Sequence, residues 1–168
     1  MNKEQKTILQ LYAVFSAGIL MNFIPSAVVQ VFALCLLVVV LFAAYIYKAK
    51  AKLDSLMYNH TTYLIGTIWA SSILLFIGMV IATFWVYEKG DHALIETIIT
   101  GMNDGVMFTE KELAGIFSDY IHQNLTLLIT ATVSTLGPGL IYMVYRVSKG
   151  TARAMKGHRV AKPASWWS

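Results

Sequence analysis

Four long apolar runs with no ionisable side chain inside them constrain this chain more than any other feature. They cover residues 8–23, 26–47, 61–87 and 125–145, and none contains Asp, Glu, Lys, Arg or His. About 20 apolar residues are enough for a helix to cross a bilayer core. Only 13% of the residues are charged, against about 25% in a typical soluble domain. The sequence therefore predicts an all-α membrane protein in which residues 1–168 form a single membrane domain of four transmembrane helices.

The basic residues predict the orientation of these helices. Eleven of the 13 lie on one side of a four-span chain: Lys3, Lys6, Lys48, Lys50, Lys52, Arg146, Lys149, Arg153, Lys156, Arg159 and Lys162. The other two fall in residues 88–124, which also hold seven of the nine acids. Because basic loops stay in the cytoplasm, both termini are expected there. The same placement explains the net charge of +4 without a nucleic-acid partner.

The outer segment, residues 88–124, is expected to form two short amphipathic helices that make a hairpin. Thr109-Glu110-Lys111-Glu112 has the form of a capping box, and Asn103-Asp104-Gly105 is typical of a turn. Apolar residues recur at helical spacing on both sides of that turn. They either pack on lipid and on the loop ends, or form a docking surface for a partner: Leu94, Ile95, Ile98, Ile99 and Met102, then Leu113, Ile116, Phe117, Tyr120 and Ile121.

The fourth run contains Gly137-Pro138-Gly139. A proline there removes the hydrogen bond that the carbonyl of Ser134 would otherwise accept. Thr126, Thr130 and Ser134 precede Pro138 at intervals of four and give a stripe of hydroxyls on the same face. Two interpretations follow: a closely packed helix–helix seam, or a hinge that lines a polar path.

The end of the chain is predicted to contact lipid headgroups. Arg146, Lys149, Arg153 and Lys156 fall on roughly one helical face, and anionic headgroups contribute about 1 kcal/mol per basic residue near the surface. Aromatic residues cluster near the ends of the runs, as in an interfacial belt. Trp69 lies deeper and is expected to pack inside the bundle.

Neither a cofactor nor an enzymatic activity is expected. The sequence has no phosphate loop, no His-Glu-x-x-His motif and no recognisable nucleophile signature. His92 and His122, beside Asp91 and Asp119, could offer metal ligands, but a surface histidine near an acid is much more often not a ligand. An enzyme that acts on lipid is the weakest of three functional hypotheses.

Two stretches resemble a known family. Residues 59–69, Asn-His-Thr-Thr-Tyr-Leu-Ile-Gly-Thr-Ile-Trp, resemble its Ser-His-aromatic-Arg-x-Gln-Ile-x-Thr-Phe-Trp signature, and residues 145–150 resemble its Tyr-Arg-x-x-Lys-Gly end. The family consists of small four-helix bacterial inner-membrane proteins with a domain of unknown function, grouped with a subunit of the chloroplast Tic translocon. The resemblance implies a bacterial inner membrane and carries over five residues: His60, Thr67, Trp69, Arg146 and Gly150. Thr62, Leu64 and Gly66 depart from its polar positions.

These features predict a non-catalytic subunit or scaffold of an inner-membrane assembly, which docks other subunits or further copies of itself. The alternative hypothesis is a translocation or transport component with a polar path along the fourth helix.

Overall fold

The computed structural model describes residues 1–167, and all regular secondary structure within them is α-helical. This confirms the predicted all-α class. The six helices, in chain order, are α1 (Lys3–Met21), α2 (Ala27–Lys50), α3 (Leu56–Lys89), α4 (Ala93–Asn103), α5 (Glu110–Gln123) and α6 (Leu125–Met155).

Three of these helices, α2, α3 and α6, are long and apolar enough to cross a membrane. Each follows one predicted span, with α2 starting one residue later than predicted, and continues past its end because polar residues prolong the helix beyond the apolar run. With 34 residues, α3 is about 50 Å long, well beyond a hydrocarbon core of about 30 Å. The remaining predicted span, residues 8–23, lies mostly in α1, which is not among the three. The fourth span therefore stays a prediction.

Polar residues define the helix ends. The side chain of Asn2 accepts a hydrogen bond from the backbone N–H of Gln5 at 2.8 Å and starts α1. At the far end of the chain, Gly157 has a φ of +70°, and the N–H of His158 donates to the carbonyl of Arg153 at 2.9 Å. This left-handed glycine stops α6 and turns the chain back on itself.

The chain divides into two compact units. The first consists of Met1–Ile73 and the residues from Leu140 onward. Its core is apolar and draws on α1, α2, α3, α6 and the chain end: Ile8, Tyr12, Phe15, Val40, Leu64, Met143, Val147 and Val160.

Within this unit, polar bonds fix the direction of α1. The side chain of Gln5 donates to the carbonyls of Ala154 and Met155, both at 2.8 Å, and Glu4 accepts from the N–H of Met57 at 2.6 Å. The start of α1 therefore lies beside the start of α3 and the end of α6. Tyr12, two turns further along α1, lies opposite an earlier residue of α6, so α1 and α6 are antiparallel.

The second unit, Leu74–Gly139, contains the end of α3, all of α4 and α5, and the start of α6. Here α3 and α6 approach closely because of two glycines. A Cβ on Gly78 would collide with the backbone of Thr135, and one on Gly139 would lie 3.0 Å from Leu75 Cδ2. At the other end of the unit, the Asn124 side chain accepts from the N–H of Asp91 at 2.8 Å and donates to its carbonyl at 3.0 Å.

Candidate functional site

The first unit contains a buried polar cluster built around Arg146, which is 1% exposed. Its guanidinium lies 3.9 Å from the centroid of the Tyr63 ring, a cation–π distance. The Nε–H donates to the hydroxyl of Thr67 at 3.0 Å. Because Tyr63 and Thr67 are four residues apart on α3, both present the same helix face to Arg146 on α6.

Chain-end carbonyls complete the surroundings of the guanidinium. Arg146 Nη1 donates to the carbonyl of Ser165 at 2.6 Å and to that of Trp166 at 2.9 Å. The hydroxyl of Tyr142 donates to the same Trp166 carbonyl at 2.7 Å. We call residues 157–167 the C-terminal strap, since they run back from the end of α6 to reach the cluster.

His60 forms the second part of the cluster. Its Nε2 lies 3.0 Å from the carbonyl of His158 in the strap, and its Nδ1 lies 3.2 Å from the hydroxyl of Tyr12. A carbonyl can only accept, so Nε2 carries the proton. In a neutral imidazole, Nδ1 then accepts from Tyr12. Gly150 gives the Tyr12 ring its room, because a Cβ there would lie 2.6 Å from Tyr12 Cζ.

Asn59 fastens the middle of the strap. Its side-chain amide donates to the carbonyl of Val160 at 3.0 Å, and its oxygen accepts from the N–H of Val160 at 2.8 Å. Val160 itself is buried. The strap is thus held at four places: at His60, at Arg153, at Asn59 and at the Arg146–Tyr142 pair.

Four of the five residues implied by the family resemblance meet in this cluster: His60, Thr67, Arg146 and Gly150. Trp69 does not. It is about half exposed, and its indole N–H donates to the hydroxyl of Tyr45 at 3.0 Å. The expectation that Trp69 packs inside the bundle is therefore wrong within this chain.

Sequence reasoning missed Tyr12, Asn59, Tyr63 and the strap as members of the cluster. The only signal available in the sequence was the family-like motif that contains His60 and Arg146. Its partners lie about 50 to 100 residues away along the chain, from Tyr12 to His60 and from Asn59 to Val160. No local periodicity reveals contacts at that separation.

The basic face predicted to meet headgroups is only partly present. Arg146 is buried beneath the strap and does not lie on an exposed face with the other three basic residues. Lys156 is exposed, while Lys149 and Arg153 are half-buried. Lys149 donates to the hydroxyl of Tyr145 at 3.1 Å, and Arg153 donates to the carbonyl of Arg159 at 2.8 Å. The four residues have the predicted helical spacing, but the Arg146 side chain lies on the side of α6 that faces the protein interior.

The hydroxyl stripe of α6 lies on the surface of the chain. Thr126, Thr130, Ser134 and Pro138 are all exposed. Within the second unit, α6 instead packs with its opposite face, on which Ala131 and Gly139 are buried. The predicted seam along the stripe is therefore not formed within this chain, whereas Gly139 is part of an internal contact and Gly137 is half-buried.

The predicted docking residues of residues 88–124 divide into two groups. Ile98 is buried, and four others are half-buried: Ile95, Leu113, Ile116 and Tyr120. Ile99, Met102 and Phe117 are at least half exposed, and Met107 in the connection is 95% exposed. The segment therefore buries one part of its apolar surface and leaves another part uncovered.

A groove of about 490 Å³ lies on the same segment. Seven residues line it: Ala93, Glu96, Thr97, Thr100, Gly101, Val106 and Phe108. The Phe108 ring packs directly on Gly101, where a Cβ would lie 2.6 Å from its Cζ. The groove is open to its surroundings and mixes one carboxylate with two hydroxyls.

The predicted capping box of α5 is confirmed. Thr109 accepts from the N–H of Glu112 at 3.3 Å, and the Glu112 carboxylate accepts from the N–H and the hydroxyl of Thr109, both at 2.8 Å. These bonds, first that from the Thr109 backbone and then that from its side chain, lower the pKa of Glu112 below its usual range.

His92, one of the two histidines of this segment, makes local contacts. His92 Nε2 lies 2.9 Å from the carbonyl of Tyr87, and its ring stacks on that of Tyr120 at 6.1 Å between centroids. Among residues 1–167, no three His, Cys, Asp or Glu side chains gather closely enough to hold a metal ion.

No family model, curated protein or solved structure matches this chain. The structure itself shows an all-helical protein with three helices long and apolar enough to cross a membrane. The resemblance to four-helix inner-membrane proteins stays a prediction.

Proposed function

We propose that this chain is a non-catalytic subunit or scaffold of a bacterial inner-membrane assembly, with four spans and both termini in the cytoplasm. The observation that carries the proposal is the exposed polar face of α6. This helix is apolar enough to cross a membrane, yet it directs Thr126, Thr130, Ser134 and Pro138 away from its own protein.

Hydrocarbon is a poor environment for such a face. Pro138 has no N–H to give to the carbonyl of Ser134, and an unsatisfied polar group in lipid costs several kcal/mol. A neighbouring transmembrane helix offers hydroxyl and backbone partners and permits the close approach that small residues favour. Another subunit, or a second copy of this chain, therefore covers the stripe in the proposed assembly.

Two further surfaces support an assembly role. The exposed apolar residues of the α4–α5 segment (Ile99, Met102, Met107 and Phe117) provide a second docking surface in the outer aqueous boundary. At the cytoplasmic end, the exposed Lys156, with Lys149 and Arg153, faces anionic headgroups. Neither surface needs a cofactor or a bound nucleic acid.

The stripe also favours a second candidate, a translocation or transport component. The three hydroxyls, together with the Ser134 carbonyl that Pro138 leaves without an N–H partner, would then line an aqueous path instead of a contact between helices. The two functions differ in what touches the stripe, since a path is wet and a seam is dry.

Thiol labelling separates the two. Single cysteines at positions 126, 130 and 134, in a Cys35→Ala background because that thiol is exposed, are treated in native membranes with a water-soluble maleimide. We expect no reaction at these positions, and the same at Val133→Cys, an exposed apolar neighbour. Reaction at the three stripe positions but not at Val133→Cys would favour the path and contradict the seam.

The assembly itself is tested by gentle extraction and native mass measurement. We expect a species heavier than the 18.7 kDa chain. Thr130→Val keeps the shape but removes the hydroxyl and should dissociate the complex, whereas the exposed apolar control Ile129→Val should not. A lone monomer for the unmodified chain, or equal dissociation of the two variants, would contradict the proposal.

A further inference from the structure

Arg146 is a buried cation whose observed partners are all neutral. Its guanidinium donates to one hydroxyl and to three backbone carbonyls, those of Tyr63, Ser165 and Trp166. Carbonyl dipoles and ring faces offset only part of the cost of removing a charge from water, and an anion offsets more. The guanidinium fork is also the geometry that binds phosphate with two parallel hydrogen bonds.

The two carbonyls that bond Nη1 come from the end of the strap, which is the part of the cluster most easily displaced. Trp167 is 85% exposed, and Trp166 is nearly half exposed. A segment with so little burial opens at low free energy compared with core helices. The strap end therefore behaves as an internal ligand that occupies the fork of Arg146.

The charges around Arg146 favour an anion in place of the strap carbonyls. No Asp or Glu occurs in the given sequence after Asp119, whereas five further basic residues follow Arg146: Lys149, Arg153, Lys156, Arg159 and Lys162. In addition, the buried Tyr63, whose ring lies under the guanidinium, has a hydroxyl without a hydrogen-bond partner among residues 1–167. A buried donor without an acceptor is costly and marks a place that an acceptor would improve.

Aromatic residues beside the cluster indicate the depth at which this anion lies. Tyr145 and Trp167 are exposed, and the rings of Tyr142 and Trp167 meet edge-on at 6.2 Å. Exposed tyrosine and tryptophan rings concentrate at the headgroup level of a membrane. At that level the abundant anion is the phosphate of a phospholipid.

We propose that Arg146 and Tyr63 form a binding site for the phosphate of an anionic membrane lipid, and that the end of the C-terminal strap competes with the lipid for this site. This inference is independent of the contact proposed along the hydroxyl stripe of α6, because the stripe belongs to the other unit of the chain. Lipid binding replaces the Ser165 and Trp166 carbonyls with phosphate oxygens and releases residues 164–167. Tyr142, which holds the Trp166 carbonyl, acts as the anchor of the competitor.

The site is tested on the purified full chain by native mass measurement with added phosphatidylglycerol, and in parallel with inorganic phosphate. Arg146→Gln should lower lipid retention about tenfold, the loss expected for a charge-assisted hydrogen bond. Lys111→Gln removes the same charge from an exposed position on α5, away from the basic residues proposed to face headgroups, and should change retention less than about twofold. Equal losses for the two variants would overturn the proposal. The proposal would also be overturned if inorganic phosphate bound the site as well as the lipid does, because the ligand would then be a soluble anion.

The competition is tested separately. Tyr142→Phe removes one anchor of the strap and should raise lipid retention about threefold or more, because the competitor is weakened. In the unmodified chain, which avoids any doubt about folding, added lipid should speed amide hydrogen exchange at residues 165–167 and leave the Val160 amide protected. Unchanged exchange, or lower lipid retention in Tyr142→Phe, would exclude the strap as competitor.

Discussion

Gly150 is the residue of the buried cluster at which a larger side chain is least tolerated. Its position on α6 faces the ring of Tyr12, and a methyl group there would overlap with the tyrosine and displace its hydroxyl from His60. Overpacking of this kind typically costs about 1–3 kcal/mol. We therefore expect Gly150→Ala to lower the midpoint of thermal unfolding in detergent.

The same helix supplies the control for this prediction. A Cβ on Gly137 meets no atom within 4 Å, and alanine is the better helix former by about 0.5–1 kcal/mol. Gly137→Ala should leave the midpoint unchanged or raise it slightly. If both variants unfold alike, the contact between Gly150 and Tyr12 does not limit stability.

The residues of the cluster also show what the sequence can and cannot reveal. Basic side chains that follow an apolar run are predicted to contact headgroups, and for Lys156 that prediction agrees with its exposure. For Arg146 it does not, because its burial depends on carbonyls supplied by a strap 19 and 20 residues later in the chain. The pattern of one helix cannot contain that information.

Two pairs of small residues on α3, Gly66 with Ala70 and Gly78 with Ala82, have the four-residue spacing that permits close approach of another helix. Their packing in the structure differs. In the structure, a Cβ on Gly78 would strike the Thr135 backbone and lie 3.0 Å from Leu136 Cδ2, whereas one on Gly66 would find its nearest atoms at 3.8 Å.

This difference predicts opposite responses to the same substitution. Gly78→Ala has to push α6 away from α3, because backbone cannot rotate aside, and it should destabilise the chain by about 1–3 kcal/mol. Gly66→Ala should be tolerated. Chemical or thermal unfolding in detergent measures both, and a larger loss for Gly66→Ala would contradict the observed packing.

The first turn of α5 should respond to pH through Glu112. Its pKa is lowered in the folded state, so the carboxylate contributes stability above its ordinary pKa of about 4.5 and loses it as pH falls through the lowered value. Amide exchange at residues 110–113, corrected for the intrinsic effect of pH, should reveal fraying of this turn as the pH falls through the lowered pKa of Glu112.

Two glutamine variants isolate the effect. Glu112→Gln abolishes the ionisable partner of Thr109 and should remove most of the pH dependence of this turn. Glu110→Gln alters the neighbouring acid of the same turn, which also interacts with the helix dipole, and should retain most of the dependence. The reverse ranking would assign the effect to the dipole and not to the capping box.

For the whole molecule, the helical class, the three long apolar helices and the capping box could all be predicted, because each depends on residues close together in sequence. The division between buried and exposed faces could not. A stripe such as Thr126, Thr130 and Ser134 has the same periodicity whether it faces a neighbour in the chain, a partner or water. Only the packing of the opposite face, through Gly139, shows that the stripe is left uncovered.

Whether α1 crosses the membrane determines the topology of the whole chain. Its 19 residues extend about 28 Å, close to the thickness of a bilayer core. Glu4 bonds the first turn of α3, and Gln5 bonds the last turn of α6, so the beginning of α1 lies at the same end of the first unit as the connection between α2 and α3. Because α2 is a candidate span that separates α1 from that connection, this arrangement supports a crossing by α1 as well.

Accessibility labelling then has one expected outcome. In the Cys35→Ala background, cysteines at Asn2, Asp54 and Ala164 should react with an impermeant maleimide only after the cell is opened, and Asp104→Cys should react from outside. A three-span chain would instead expose Asn2→Cys and Asp104→Cys on the same side, with Asp54→Cys opposite. That result would require the Glu4–Met57 bond to break in the membrane, because the two residues could not then share one face of the bilayer.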